Sequence, residues 1–125
     1  MQRTMLKSKV HRATLTATQL HYEGSIGIDR RLMDAADILP GEQVHVLNVS
    51  NGSRIVTYAI PAPAGSGEIA LKGAAARAGH VGDEVIILSY CALDDREARQ
   101  SVARVVHVDR ENRPEPTRQD MKPMP

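Results

Sequence analysis

Short β-type runs separated by turn signals are the feature that most limits what this 125-residue chain can fold into. Residues 43–49 and 54–60 alternate between apolar and polar side chains, and Asn51-Gly52 between them is a strong hairpin signal. Residues 84–92 form a nearly continuous apolar run, typical of a central strand buried on both faces. Many short strands with few helices predict a mainly β domain, in the form of a small closed barrel.

Shorter signals place the other elements around this barrel. Strands are predicted over residues 3–16, with a break near Ser8, and over 26–28, 68–71 and 102–108. A helix is predicted to start at Asp29 and end at Pro40-Gly41, and short helical segments are predicted over 73–79 and 94–100. Residues 61–67 read as a loop. Residues 1–109 therefore form one domain, and residues 110–125, with four prolines and mixed charge, predict a disordered tail.

Composition restricts the partners of this domain. The chain has no Phe or Trp, so Val, Ile, Leu and Ala must fill its core. Because a core of small aliphatic residues often needs more buried surface than one chain provides, a homo-oligomer is predicted. The scarcity of aromatic residues and the net charge of +1 disfavour nucleic-acid binding. No apolar run approaches the ~20 residues of a membrane span. The single Cys91 suits a reducing cytoplasm, and the five scattered His residues lack metal-ligand spacing, so no metal is predicted.

The dipeptide Gly24-Ser25 has a specific chemical option. The serine hydroxyl can attack the preceding carbonyl and convert the peptide to an ester. Gly24 favours this because it lacks Cβ, which allows strained dihedrals and leaves its carbonyl approachable. Elimination from the ester would release residues 1–24 and leave dehydroalanine at position 25, which hydrolyses to a pyruvoyl group. Taken alone, the dipeptide is more often an ordinary turn.

The context of Gly24-Ser25 resembles the aspartate 1-decarboxylase family. The matching motifs keep their order and spacing from Met1 to Val108, and they are Lys9-Val10-His11-Arg12, Leu20-His21-Tyr22-Glu23-Gly24-Ser25, Asn51-Gly52, Arg54, Thr57-Tyr58 and Gly73-Ala74-Ala75-Ala76. The resemblance implies a double-psi β-barrel, assembled as a homotetramer, that cleaves itself after Gly24. It implies conversion of L-aspartate to β-alanine and CO2 in cytoplasmic pantothenate biosynthesis. The cofactor would be a pyruvoyl group from Ser25 that forms a Schiff base with the substrate, without pyridoxal phosphate.

The resemblance also assigns roles to residues of one strand. Arg54 and Tyr58 lie four apart, so the two-residue period of a strand puts them on one face and Thr57 on the other. By resemblance, Arg54 binds a substrate carboxylate, which its fork of donors suits, and Tyr58 donates a proton to the carbanion. Thr57 would assist cleavage at Gly24 and lie beside the substrate, approaching from a different side unless a bulge intervenes.

Two further segments match family positions that line the substrate pocket. Lys9 and His11 are two apart and share one face of the first strand. Lys9 complements an anionic substrate, whereas His11 is equally explained as a polar surface residue. Gly73, Ala74 and Ala75 match a segment whose backbone contacts the substrate, and their small side chains leave room for a small amino acid.

Lys72 is the main departure from the family pattern, which usually has Asn before Gly-Ala-Ala-Ala. An ammonium group changes the size, charge and acceptor capacity of a position near the scissile peptide. It could obstruct the serine, or it could stabilise negative charge as cleavage proceeds. Because the position normally holds an amide, steric obstruction is favoured, and Lys72→Asn is predicted to speed cleavage.

Two other functions stay open. An unprocessed barrel of the same fold, disabled by Lys72, would serve as a non-catalytic scaffold or binding module. A barrel that binds nucleic acid through the basic strand at residues 3–12 is the second, and the missing aromatic residues count against it. The intact set Gly24-Ser25 and Thr57-Tyr58 favours the enzyme. Whether an accessory protein assists maturation is not determined by the sequence.

Overall fold

The computed structural model describes residues 1–115, in which eight strands form one continuous sheet. The strands are β1 (Gln2–Thr14), β2 (Ala17–Gln19), β3 (Ser25–Asp29), β4 (Gln43–Asn48), β5 (Arg54–Ala62), β6 (Ile69–Lys72), β7 (Glu84–Asp94) and β8 (Arg104–His107). Their spatial order is β2-β6-β3-β5-β4-β7-β1-β8. Helix α1 (Arg30–Ala35), a 3₁₀ helix (Gly73–Ala78) and helix α2 (Asp95–Gln100) are short. The prediction of a mainly β fold with a few short helices is confirmed.

A single hydrophobic core lies inside the curved sheet. Seven strands each contribute at least one buried apolar side chain to it, for example Val10, Ile26, Val46, Ala59, Leu71, Ile87 and Val106. Helix α1 adds Leu32 and Met33, both fully buried. Because strands from both ends of the sheet share this one core, the sheet wraps around it, consistent with the predicted barrel.

Two local predictions in the strands are confirmed. Strands β4 and β5 pair antiparallel across the turn that contains Asn51-Gly52, where Gly52 takes a left-handed φ of 78°. The predicted break in the first strand is a register shift against β7 between Leu6 and Ser8.

Several predicted boundaries are wrong. The loop predicted from Pro61 begins later, because Pro61 and Ala62 pair in parallel with β3, and this tertiary pairing overrides the local turn signal. Helix α1 ends at Ala35 rather than at Pro40-Gly41, since Asp37 has a left-handed φ of 54° that a helix cannot continue through. Strand β2, with three residues, was not predicted.

The first part of the predicted tail, residues 110–115, is ordered. Residues 109–115 form a turn in which Val108 bridges to Pro114, and Asn112 is fully buried. The Asn112 side chain donates to the carbonyl oxygens of Thr14 and Gly67, both at 2.8 Å. These bonds hold residues 110–115 against the barrel, and the remainder of the predicted tail, 116–125, lies outside the described residues.

A buried carboxylate fixes the end of β3. Asp29 caps helix α1 through Arg31 N at 2.8 Å, and it also accepts from Gly67 N at 2.8 Å and Gly65 N at 3.1 Å. Burial alone would raise the pKa of Asp29, but these three N–H donors and the Arg31 charge outweigh it and lower the pKa. Strand β3 is therefore anchored at the end opposite Ser25.

Candidate active site

Strand β3 brings the predicted cleavage residues together because it lies between β5 and β6. It runs parallel to β5, and Ile26 pairs with Ala59. Gly24 and Ser25 directly precede Ile26, and Thr57 and Tyr58 directly precede Ala59, so both pairs of residues lie on the same side of this strand pairing. It runs antiparallel to β6, with Ser25 directly opposite Lys72. Segments far apart in sequence therefore meet around the Gly24-Ser25 peptide.

A concave pocket of about 430 Å³ opens at this junction. Its lining consists of Gly24, Ile55, Val56, Thr57, Tyr58, Ala74 and Ala75. Five of the ten predicted site residues, Gly24, Thr57, Tyr58, Ala74 and Ala75, thus line one pocket. Its volume lies within the range of about 300–1,000 Å³ that is common for small-molecule sites.

Gly73 forms a close backbone contact with residues 22–24, the segment that leads to the scissile peptide. Its φ is 66°, in the left-handed region. A Cβ at this position would lie 2.5 Å from Tyr22 O and 2.6 Å from Gly24 N. Only glycine fits here, so the predicted close approach of the Gly73 backbone is present, although the segment that it contacts is 22–24.

The backbone at the scissile peptide is open rather than strained. Gly24 is exposed, its φ is not in the left-handed region, and a Cβ there would meet no atom within 4 Å. A left-handed φ at Gly24 is therefore not observed, and the space beside its Cα is open. Ser25 is fully buried, and its Oγ donates to Glu23 O at 3.3 Å.

Thr57 and Tyr58 reach the same pocket from different sides. The register of β5 against β4 runs without interruption from Tyr58 to Arg54, so no bulge separates the two residues. Thr57 is half-buried on the side of Ala59, and Tyr58 lies on the exposed side. The prediction that Thr57 and Tyr58 lie on opposite faces of β5 is confirmed. No hydrogen bond joins Thr57 to Gly24 among the described residues.

Arg54 lies outside the pocket, although it shares the exposed face of β5 with Tyr58. Its Nη2 donates to Tyr90 Oη at 2.9 Å and lies 3.1 Å from His45 Nδ1. The rings of His45 and Tyr90 meet edge to face at 4.9 Å. These two neighbours were not predicted, since only the strand order β5-β4-β7 brings them beside Arg54.

Lys9 and His11 are also separate from the pocket. Cross-strand pairing aligns Lys9 with Leu88, Leu88 with His45, and His45 with Val56. Three strand spacings, about 14 Å, therefore separate Lys9 from strand β5 within this chain. The structure does not bring Lys9 and His11 together with Gly24-Ser25.

His11 sits in a basic, partly dehydrated environment. Its Nδ1 is buried without a hydrogen-bond partner among the described residues, and its ring meets the His107 ring at 5.4 Å. Burial, and then the charges of Lys9, His107 and Arg12, lower the pKa of His11, with Glu84 opposing them. A buried ring nitrogen without a partner is unusual and marks this end of β1 as incomplete in polar contacts.

Lys72 contacts the ring of Tyr22, which lies over it, two residues before the scissile peptide. Its Nζ lies 4.6 Å from the centroid of the Tyr22 ring and 4.0 Å from Glu68 Oε2. No hydrogen bond from Lys72 to Gly24 or Thr57 occurs in residues 1–115. The steric basis for faster cleavage in Lys72→Asn therefore has no support in these contacts.

Within residues 1–115, no group of three or more His, Cys, Asp or Glu side chains is arranged to hold a metal ion. None of the helices in this part of the chain has the length and apolar character needed to cross a bilayer.

Comparisons with known proteins identify the family. Residues 1–115 match the model of the aspartate decarboxylase family. The chain is 54% identical over 114 residues to the aspartate 1-decarboxylase of Thermoanaerobacter pseudethanolicus (strain ATCC 33223 / 39E), covering 91% of this chain and 97% of that protein. The chain belongs to the aspartate decarboxylase family, so the resemblance and the expectation of a carboxy-lyase are confirmed.

Proposed function

We propose that this chain is a self-processing, pyruvoyl-dependent decarboxylase that converts L-aspartate to β-alanine and CO2 in pantothenate biosynthesis. Family membership supports the reaction. The meeting of Gly24 with Thr57 and Tyr58 at one pocket, with the backbone of Gly73 against Gly24, carries the proposal for the mechanism. Processing is proposed to occur in the cytoplasm, where the unpaired thiol of Cys91 persists.

Self-cleavage is proposed to begin with attack of Ser25 Oγ on the Gly24 carbonyl carbon. The Gly24–Ser25 amide becomes an ester, and the Ser25 nitrogen becomes a free amine. Loss of the Ser25 α-proton then breaks the ester Cβ–O bond, so that Gly24 leaves as a carboxylate and residue 25 becomes dehydroalanine. Addition of water and loss of ammonia leave a pyruvoyl group. Thr57 is proposed to hold the Gly24 carbonyl oxygen, since both residues line the pocket.

The residues around position 25 fit a pyruvoyl group. Residue 25 is fully buried and directly follows Gly24, which lines the pocket, and the backbone of Gly73 lies close to Gly24. When present, the ketone supplies an electron sink for the electrons left by departing CO2. Tyr58, at the exposed side of the pocket, is proposed to deliver the proton that replaces CO2. Ala74 and Ala75 line the pocket, and their small side chains leave space for a small substrate.

The substrate carboxylate is proposed to be held by Arg54, with Lys9 and His11 supplied by a second copy of the chain. Within one chain, Lys9 lies about three strand spacings, or ~14 Å, from β5. A homo-oligomer, with a tetramer as the expected form, would bring one copy's β1 to another copy's β5. Exposed Val56 and Tyr58 on β5 offer apolar surface for such a contact.

Product formation tests this function directly. Purified protein, incubated to complete processing, should release CO2 from L-aspartate and form β-alanine without added pyridoxal phosphate. Ser25→Ala protein should form none. Equal β-alanine formation by wild type and Ser25→Ala would contradict a role for a pyruvoyl group at position 25.

A further inference from the structure

We infer that Lys72 is a positioning residue that, through the ring of Tyr22, holds the segment 20–24 in place for cleavage. The contact is called the Lys72–Tyr22 clamp below. The inference rests on the proposed self-processing function, because the clamped segment ends at the scissile peptide. It concerns a residue at which this chain departs from the family pattern.

The segment 20–24 has few other restraints. It joins the end of β2 at Gln19 to the start of β3 at Ser25, and all five of its residues are exposed. Within residues 1–115 it pairs with no strand, and its hydrogen bonding is limited to Ser25 Oγ donating to Glu23 O at 3.3 Å. A segment with so few contacts samples many conformations unless side chains restrict it.

Gly73 and Lys72 contact this segment in different ways. The bare Cα of Gly73 lies against the backbone of Tyr22 and Gly24, where a Cβ would be 2.5 and 2.6 Å from Tyr22 O and Gly24 N. The adjacent Lys72 reaches the side chain instead, with Nζ 4.6 Å from the Tyr22 ring centroid. The backbone and the side chain of the same short segment are thus both contacted from the end of β6.

The ammonium group is placed where a cation–π contact is strong. The Lys72 side chain is only 13% exposed, whereas Tyr22 is 54% exposed and lies over it. The stem crosses Gly27, whose Cβ position is 3.3 Å from Lys72 Cε, and Glu68 Oε2 balances the charge at 4.0 Å. A partly dehydrated cation within about 6 Å of an aromatic centroid is attracted to the ring face. The ring, and the segment with it, is therefore held at the surface.

Holding the segment favours the first step of processing. Ser25 Oγ and the Gly24 carbonyl must adopt one relative orientation for attack, and restricting the chain before Gly24 reduces the number of unproductive orientations. The clamp leaves the carbonyl itself uncovered, since Lys72 makes no described hydrogen bond to Gly24. Removing the clamp should therefore slow cleavage, which reverses the sequence-based expectation for Lys72→Asn.

The first test measures the clamp without cleavage. In a Ser25→Ala background, Lys72→Met should lower the backbone amide order parameters of residues 20–24 in NMR relaxation measurements, from above about 0.8 to below about 0.6, since the contact that restricts this segment is lost. Lys7→Met is the matched control, because Lys7 makes an ion pair with Glu42 at 2.7 Å on another part of the barrel. Unchanged order parameters in Lys72→Met would overturn the clamp.

The second test measures cleavage by a gel time course of freshly purified, unprocessed chains. Lys72→Met and Tyr22→Leu should each cleave about threefold to fivefold more slowly than wild type. Lys72→Arg and Tyr22→Phe keep a cation and a ring, so both should cleave near the wild-type rate. The double variant Lys72→Met/Tyr22→Leu should be no slower than either single variant, because the two residues act through one contact.

The outcomes separate the clamp from the proposed function. Additive slowing in the double variant, or wild-type cleavage in Lys72→Met, would overturn the clamp while leaving self-processing intact. A wild-type chain that never cleaves would overturn self-processing, and the order parameters measured in the Ser25→Ala background would still decide the clamp.

Discussion

The two ends of this sheet differ in how much of the site one chain completes. Around β3, β5 and β6, residues distant in sequence meet at a single pocket beside Gly24-Ser25. On β1, Lys9 and His11 lie apart from that pocket, and His11 has a buried ring nitrogen without a partner among the described residues. We propose that the first region carries out self-cleavage within one chain, whereas Lys9 and His11 contribute to substrate binding only where two copies of the chain meet.

Tyr58→Phe should slow decarboxylation without slowing self-cleavage, and this is the largest effect expected. It removes the hydroxyl proposed to return a proton, so turnover of L-aspartate should fall about a hundredfold. Conversion to the fragments 1–24 and 25–125 should continue, because Ser25 and Thr57 are unchanged. Mass spectrometry and β-alanine formation on the same sample make this comparison. Wild-type turnover would show that another group or water supplies the proton.

Arg54→Lys should affect binding rather than processing. The variant keeps a positive charge but loses the planar fork and the contact with Tyr90, so the KM for L-aspartate should rise about tenfold. Arg30→Lys is a matched control, since Arg30 is an exposed residue paired with Asp34 away from the pocket. An unchanged KM in Arg54→Lys would remove Arg54 from the substrate site.

A mixing experiment tests whether Lys9 of one copy and Tyr58 of another copy contribute to the same substrate site. Lys9→Met and Tyr58→Phe chains, co-expressed in equal amounts, should form mixed oligomers in which about a quarter of the shared sites are intact. Activity at low aspartate should therefore exceed the mean of the two separate variants about fivefold. Activity equal to that mean would indicate that Lys9 and Tyr58 do not meet across two copies.

The smallest expected effect is on the titration of His11. Its ring should titrate below 6.5, since burial and the charges of Lys9, His107 and Arg12 disfavour protonation. Because the folded-state pKa is lowered, the contribution of His11 to stability is lost as pH falls from 6.5 through that pKa. NMR titration should show the pKa rising towards its ordinary value in His107→Ala and staying unchanged in the control His21→Ala. A His11 pKa at or above 6.5 in the wild-type protein would contradict the described environment.

The sequence predicts local features of this fold better than its long-range contacts. Alternation identified the β4–β5 hairpin and the opposite sides of Thr57 and Tyr58, because each depends on residues close in the chain. The pairing of Pro61 with β3 and the burial of Asn112 depend on distant partners, so local signals predicted a loop and a tail instead. The placement of Lys72 on Tyr22 likewise follows from the Ser25–Lys72 register, which no spacing in the sequence reveals.

Denaturing mass spectrometry of wild-type protein, treated with borohydride in the presence of L-aspartate, tests the central claim most directly. The account predicts two fragments, residues 1–24 and 25–125, with a substrate-derived adduct at the N-terminus of the second. Ser25→Ala should give one unmodified chain, and the control Ser101→Ala should match wild type, since Ser101 bonds only to Ala98 beside α2 among the described residues. An intact wild-type chain after prolonged warming with cell extract, or processed protein that forms no adduct, would contradict the account.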